Sequence, residues 1–185
     1  MPVSAELRGI VVLAAGASRR FGGPDKLLAV LDGRPLVARA FGLAAGLPAA
    51  ARVAVVASHG VENLARQAGL TPVRVSPGGL QSESLKAGIA ALPLECAEAL
   101  VLLGDMPFLA RGELDALLCL DAPSCACRDG RPMPPVVLPR TWFADVSGVA
   151  GDRGARDLLC RIPPSHRLEW PQGHLGDVDL PEDLP

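Results

Sequence analysis

With 185 residues, 49% of them hydrophobic and 21% charged, the chain has the length of one ordinary domain, spanning 1–185, and enough apolar residues to fill a core. Its net charge of -2 and isoelectric point near 5.9 argue against a general nucleic-acid binder, which carries a basic face, and no apolar stretch reaches the ~18 residues of a membrane span. A soluble protein with neither nucleic-acid nor membrane partners is expected. Five cysteines, Cys96, Cys119, Cys125, Cys127 and Cys160, are an odd number without C-x-x-C spacing, and three lie in apolar surroundings. They read as reduced, mostly buried thiols of a cytoplasmic protein, against a metal or disulfide role.

Ile10-Val11-Val12-Leu13 is a short apolar run, β-branched enough for a buried strand. Preceded by Arg8 and followed by Ala15-Gly16-Ala17, it has the outline of a signal peptide, but the apolar core is short and begins only after Gly9. It opens instead into a loop of glycines, small residues and cations that ends at Lys26. Small residues let backbone N–H groups approach an anion, and Arg19, Arg20 and Lys26 supply charge, so the loop suits polyphosphate at the carboxyl end of a strand. Neither standard phosphate fingerprint fits. Phe21 stands where a P-loop needs glycine, Lys26 is followed by Leu27 rather than a hydroxyl residue, and G-x-G-x-x-G spacing is missing. A glycine turn of purely structural origin is the alternative.

Pro35 sits where a helix tolerates proline in its first turn, and Leu36, Val37, Ala40, Leu43 and Ala44 recur at helical spacing up to Gly46. Ala51 to Ala57 reads as a second strand, Val61 to Gln67 as a short helix, and Val73-Arg74-Val75 as a third strand. This alternation predicts a mainly parallel sheet covered on both faces, with ligands at the carboxyl ends of the strands. A second glycine-rich turn, Ser76 to Gln81, feeds a helix running to Ala91, with Ser82 as its N-cap and Leu85, Ile89 and Leu92 on one face. The turn opens on the same edge as the first loop, where its backbone can meet a base or ribose; helix capping alone is the alternative.

Ala99 to Leu103 is wholly apolar, hence a central strand, and ends in Gly104-Asp105-Met106-Pro107. A carboxylate leaving a central parallel strand faces the phosphate loop. Mg²⁺ needs only one or two such hard oxygens beside waters and substrate phosphates, which makes Asp105 the candidate metal ligand. Alternatively it caps a helix whose body is Arg111 to Leu120. Ser124 to Arg128 and Pro135 to Leu138 read as strands joined through Asp129-Gly130, with Pro132, Pro134 and Pro135 keeping them at the edge as a hairpin or flap. Thr141 to Val146 suggests a short helix. Gly151 to Arg156 introduces another at Asp157 to Arg161; its clustered cations suit an anionic acceptor or pyrophosphate, or else a solvated helix start. The tail from Gly176 is extended, with Asp177 and Asp179 on one side. His59, His166 and His174 are too scattered to form a ligand set.

From about Gly9 to Leu184 these segments resemble the nucleotidyltransferases of the glycosyltransferase-A-like fold. The first loop resembles their L-A-A-G-x-S-x-R-x-G…K signature, Gly79, Ser84 and Leu85 match a serine-bearing segment, and Gly104 to Pro107 match G-D-M-P. Gly151 to Arg156 resemble G-D-x-G-A-R, and the tail resembles D-[IV]-D-T-P-E-D-L, with Leu180 in place of threonine. The chain is most similar to the molybdenum cofactor cytidylyltransferase branch, whose lysine is followed by two leucines, as Lys26 is.

The resemblance implies an α/β fold of three αβα layers around a mainly parallel, Rossmann-like sheet with an edge hairpin. It implies that the terminal phosphate of an acceptor attacks the α-phosphorus of a nucleoside triphosphate and releases pyrophosphate. Mg²⁺, or Mn²⁺ in its place, is then held by Asp105 and Asp179, the latter otherwise an N-cap ahead of Pro181. Arg19 and Lys26 neutralise the triphosphate, while Leu13, Ala14, Ala15, Gly16, Ala17 and Ser18 shape the nucleotide pocket with Gly79 and Ser84. Because the cytidylyl branch carries L-A-A-G where the guanylyl branch carries L-A-G-G, the nucleotide is expected to be CTP; the resemblance as a whole implies molybdopterin as the acceptor, with a molybdoenzyme as a further partner. One departure bears on the acceptor: Met133-Pro134 stands where the family carries Gly-His. It leaves room for a cytidylyl or uridylyl transferase acting on a sugar or polyol phosphate. A non-catalytic molybdenum cofactor carrier is the rival of another class, though it has no need of Lys26, Asp105 and Asp179 together.

Overall fold

The computed structural model describes residues 3–16, 21, 25–148, 151–171 and 173–178, with backbone alone for 152–155. Seven of the described strands form one sheet: β1 (Arg8–Ala14), β4 (Ala51–Val56), β5 (Thr71–Arg74), β6 (Glu98–Leu103), β7 (Ser124–Arg128), β8 (Arg131–Pro139) and β9 (Arg167–Glu169). They lie in the order β5-β4-β1-β6-β8-β7-β9. β1 pairs in parallel with β4 and β6, and β4 with β5, whereas β8 runs antiparallel to both β6 and β7. The chain builds outward from β1 on one side, then returns across it to start β6. Loops leaving β1 and β6 therefore diverge above a crevice at the carboxyl ends, the place where open α/β sheets bind ligands.

Successive residues of a strand point to opposite faces, so β1 feeds two cores. Ile10, Val12 and Ala14 pack with Val37, Phe41 and Leu114 on one face, and Val11 joins Val53, Leu85 and Ile89 on the other. Helices α1 (Val37–Gly46), α2 (His59–Gln67) and α4 (Arg111–Leu117) cover the first face; α3 (Gln81–Ala90), α5 (Phe143–Gly148) and α6 (Gly151–Cys160) cover the second. In α1 the buried residues Val37, Ala40, Phe41 and Ala44 follow the spacing of a single helical stripe. The architecture is the expected mainly parallel sheet between helical layers. No described helix is long and apolar enough to cross a membrane.

Several local expectations are corrected. Pro35 is not in a helical turn: it pairs with Val30 in a small hairpin, β2 (Val30–Leu31) and β3 (Arg34–Pro35). The turn is Asp32-Gly33, both at positive φ, a dipeptide suited to this connection. Ser82 does not cap α3; Leu80 precedes the helix and donates its N–H to Glu83 Oε2 at 3.3 Å, leaving Ser82 buried in the first turn. The β7–β8 hairpin turns at Asp129-Gly130 as expected but is not at the edge, because β9 pairs in parallel beside β7. Helix α6 begins at Gly151 rather than Asp157. Asp105 caps no helix, since α4 starts only at Arg111 after Ala110.

Candidate active site

The crevice is lined by both glycine-rich turns. Ala15 and Gly16 continue from β1, while Ala17, Ser18, Arg19 and Arg20 lie outside the described residues. The chain returns at Asp25, whose carboxylate caps a short 3₁₀ turn by accepting the Leu27 N–H at 3.1 Å and also accepts the Ser58 hydroxyl at 2.7 Å. Ser58 in turn caps α2, accepting the Val61 N–H at 3.4 Å. This clamp fixes where Lys26 leaves the loop. The Lys26 side chain is 7% exposed, and its ammonium donates to Asp105 Oδ2 at 2.8 Å.

Asp105 follows β6 directly. Gly104 lets this turn lie close to β1: its N–H donates to the Leu13 carbonyl at 2.8 Å, and a Cβ there would sit 3.1 Å from that of Ala14. Among the described residues, the second Asp105 carboxylate oxygen has no hydrogen-bond partner. A cavity of about 220 Å³ is lined by Leu13, Ala15, Gly16, Lys26, Gly79, Ser84 and Asp105, together with Leu27, Gln81 and Leu103. The two turns, the lysine and the aspartate expected to act together thus share one pocket; Ala14 is buried beneath it in the core.

The C-terminal segment also reaches this end of the sheet. His174 Nδ1 lies 2.7 Å from Glu113 Oε1, Leu175 and Val178 are fully buried, and the Val178 N–H donates to the Asp105 carbonyl at 3.1 Å. Asp177 is exposed, and Asp179 lies outside the described residues. Arg156, on α6, is exposed and lines a neighbouring cavity. No group of three or more potential metal-binding side chains occurs among the described residues.

Beyond the pocket, Glu169 on β9 holds the hairpin turn. Its carboxylate accepts the Cys127 thiol at 3.0 Å and the N–H groups of Asp129 at 2.6 Å and Gly130 at 3.3 Å. These donors, the thiol foremost, hold its carboxyl below the usual range. Burial pushes the thiols of Cys125 and Cys127 up to about 11, with the Glu169 carboxylate adding to the rise at Cys127.

The sequence gives no signal that Gln81 and Leu103 line the pocket, whereas Leu27 is one of the two leucines after Lys26 that carry the resemblance. Gln81 ends the second glycine-rich turn, but nothing in the sequence distinguishes its side chain from a solvated one. The Asp25–Ser58 bond and the Val178–Asp105 bond join distant residues and leave no local signal.

Residues 10–166 match the MobA-like NTP transferase domain model. The chain belongs to the MobA-like NTP transferase family. A 2-C-methyl-D-erythritol 4-phosphate cytidylyltransferase of Dehalococcoides mccartyi is 34% identical over 107 residues, 55% of this chain and 47% of that protein. The matched stretches span 29% to 53% of the length of the curated relatives. Among solved structures, the Mycobacterium sp. strain JC1 homolog of Mycobacterium tuberculosis Rv0371c superposes with a TM-score of 0.80 at 24% identity, covering 97% of this chain and 94% of the other. Molybdopterin-guanine dinucleotide biosynthesis protein A of Archaeoglobus fulgidus gives a TM-score of 0.66 at 19% identity, covering 95% and 94%. At these identities the likeness to this MobA-like chain is one of fold.

Proposed function

We propose that this MobA-like protein transfers a nucleotidyl group, with Mg²⁺ or Mn²⁺ as cofactor, from a nucleoside triphosphate to the terminal phosphate of an acceptor and releases pyrophosphate. CTP is the nucleotide and molybdopterin the acceptor in this reading, and a cytoplasmic molybdoenzyme receives the product. The Lys26–Asp105 pair carries the proposal: a cation for phosphate and a carboxylate for a metal stand 2.8 Å apart between two glycine-rich turns.

The residues fit a metal that takes most of its ligands from elsewhere. Asp105 gives Lys26 one carboxylate oxygen, and Mg²⁺ needs only one or two such hard oxygens beside substrate phosphates and water. Asp179 is proposed as the second carboxylate, supported by the bond that brings its neighbour Val178 onto Asp105. When bound, the ion supplies charge neutralisation at the phosphoryl oxygens. Lys26 and Arg19 offset the negative charge of the triphosphate and leaving pyrophosphate, and the Ala15, Gly16 and Gly79 backbones with Ser84 orient the nucleotide. Alignment and charge, rather than a covalent intermediate, do the catalysis, and a phosphate nucleophile needs no general base.

The Leu13-Ala14-Ala15-Gly16 sequence and the cytidylyltransferase relative support CTP. That relative's name also favours a second reading, cytidylyl transfer to a polyol phosphate. The test is a melting panel with CTP, GTP, UTP and ATP, with and without Mg²⁺, followed by pyrophosphate release. Ligand at 100 times its dissociation constant adds about 2.7 kcal/mol. A Mg²⁺-dependent shift largest for CTP is expected; equal or absent shifts would defeat the reading.

A further inference from the structure

Ser58 follows β4 and is not in the wall of the Lys26–Asp105 pocket, yet its hydroxyl joins two elements that bear on it. It accepts the Val61 N–H at 3.4 Å, which caps α2, and donates to Asp25 Oδ2 at 2.7 Å. Asp25 Oδ1 in turn accepts the Leu27 N–H at 3.1 Å, so Lys26 is the residue between two anchors. On the other side of the lysine, a Cβ on Gly60 would fall 2.7 Å from Leu28 Cδ1; the bare glycine lets the first turn of α2 lie against Leu28. Asp25 and Leu28 are thus both seated on the start of one helix.

We propose that Ser58 is a positioning residue for the nucleotidyl transfer: by tying the start of α2 to Asp25, its hydroxyl sets the Lys26 backbone so that the ammonium is presented to the phosphates of the nucleotide. The inference rests on the reading of Lys26 as the phosphate cation. A lysine has a flexible four-carbon stem, and ordering it around a ligand costs binding unless the backbone and stem are already held. Here the stem is held, with the side chain 7% exposed and the ammonium on Asp105. A misplacement of about 1 Å passed on from the backbone is enough to spoil alignment at a reacting phosphorus. Position 58 therefore needs one group that accepts from the helix and donates to the carboxylate. A serine or threonine hydroxyl does both. An aspartate is as good a helix cap but brings no donor to Asp25, so capping and seating can be separated by substitution.

The test uses the full chain and calorimetric titration with inorganic triphosphate and Mg²⁺, alongside pyrophosphate release from nucleoside triphosphates. Lys26→Met is expected to weaken triphosphate by about tenfold or more. Ser58→Ala should weaken it by about fivefold, Ser58→Asp, which keeps a preferred cap, by at least as much, and Ser58→Thr by less than about twofold. In the Lys26→Met background Ser58→Ala should change binding by less than about 1.5-fold, because it acts through the lysine. Glu62→Gln removes the carboxylate that holds Arg66 and Arg74 to α2 and should leave triphosphate binding as in the wild type, which separates loosening of the helix from loss of the seat. Wild-type affinity in Ser58→Asp, an undiminished Ser58→Ala effect in the Lys26→Met background, or an equal loss in Glu62→Gln would each overturn the proposal. Unchanged binding in Lys26→Met would instead sink the reading of Lys26 on which it rests. The expected binding pattern without turnover of any nucleoside triphosphate would sink nucleotidyl transfer and leave the positioning of Lys26 standing.

Discussion

Lys26 and Asp105 are 79 residues apart in the chain, yet the ammonium of one lies 2.8 Å from the carboxylate of the other. The lysine side chain is 7% exposed and the aspartate 24%, so the pair is shielded from bulk water on the lysine side while the aspartate opens on the pocket. Removing a group that stabilises developing phosphoryl charge costs on the order of 10²–10³ in rate. Lys26→Met is therefore expected to lower turnover by that factor in a pyrophosphate-release assay. Asp105→Asn should lower turnover at least as much and also weaken the Mg²⁺ dependence of the nucleotide melting shift. Turnover within threefold of wild type in either variant would remove the pair from the mechanism.

A second prediction concerns how α3 seats Ser84 against the pocket. A Cβ on Gly88 would fall 2.4 Å from Val11 Cγ1 and 3.0 Å from Val55 Cγ2, on two central strands that cannot yield. Alanine improves helix propensity by up to about 1 kcal/mol. Overpacking a core costs about 1–3 kcal/mol, and with both valines held in buried strands the steric cost wins. Gly88→Ala should be destabilised by about 1–2 kcal/mol in urea titration and show a smaller CTP-induced melting shift. A variant as stable as wild type would mean that α3 can lift from the sheet freely.

Acid should weaken the hold of Glu169 on the β7–β8 turn. The Cys127 thiol and the Asp129 and Gly130 N–H groups hold the Glu169 carboxyl below its unfolded value of about 4.3. A depressed carboxyl contributes stability that is complete above the unfolded value and is lost as pH falls through the folded one. Melting profiles from pH 7 to pH 2.5 should therefore show a larger drop for wild type than for Glu169→Gln, with the difference developing only below about pH 5. Parallel profiles would contradict this role.

The cysteines divide by exposure. Cys119 and Cys160 are exposed, whereas Cys96, Cys125 and Cys127 are buried, and burial pushes Cys125 and Cys127 up to about 11. The thiolate is the reactive form, so alkylation of the native protein at pH 8 should label Cys119 and Cys160 well ahead of the other three by peptide mass spectrometry. Early labelling of Cys127 would show that β7 opens on the timescale of the reagent.

Much of this arrangement is legible in the sequence because the strongest signals are local. The apolar runs at Ile10 and Ala99 announce central strands, and Asp129-Gly130 announces a hairpin whichever strands it joins. What escaped was set by distance or by brevity. Three residues at Arg167 carry too little alternation to mark β9, so the hairpin looked like an edge. Ser82 has a preferred capping side chain, but Glu83 already serves the Leu80 N–H, and the serine is drawn into the buried first turn. Asp32-Gly33 is a strong turn dipeptide, and Pro35 closes the hairpin it makes, so the helical spacing begins only after that proline. The residues gathered at the crevice could be named one by one, whereas Val178 on Asp105 and Ser58 on Asp25 exist only once the sheet has formed.

The hydrogen bond from Val178 to the Asp105 carbonyl has a consequence for how the protein is made. A chain emerges from the ribosome from its N-terminal end, at about 5–20 residues per second. Ala15, Lys26, Gly79 and Asp105 are therefore out, and the four parallel strands able to pair, several seconds before residue 178 follows. A nascent chain stalled after α4 would hold Ala15, Lys26, Gly79 and Asp105 with the flank of their pocket still unsealed until the segment around Val178 has followed.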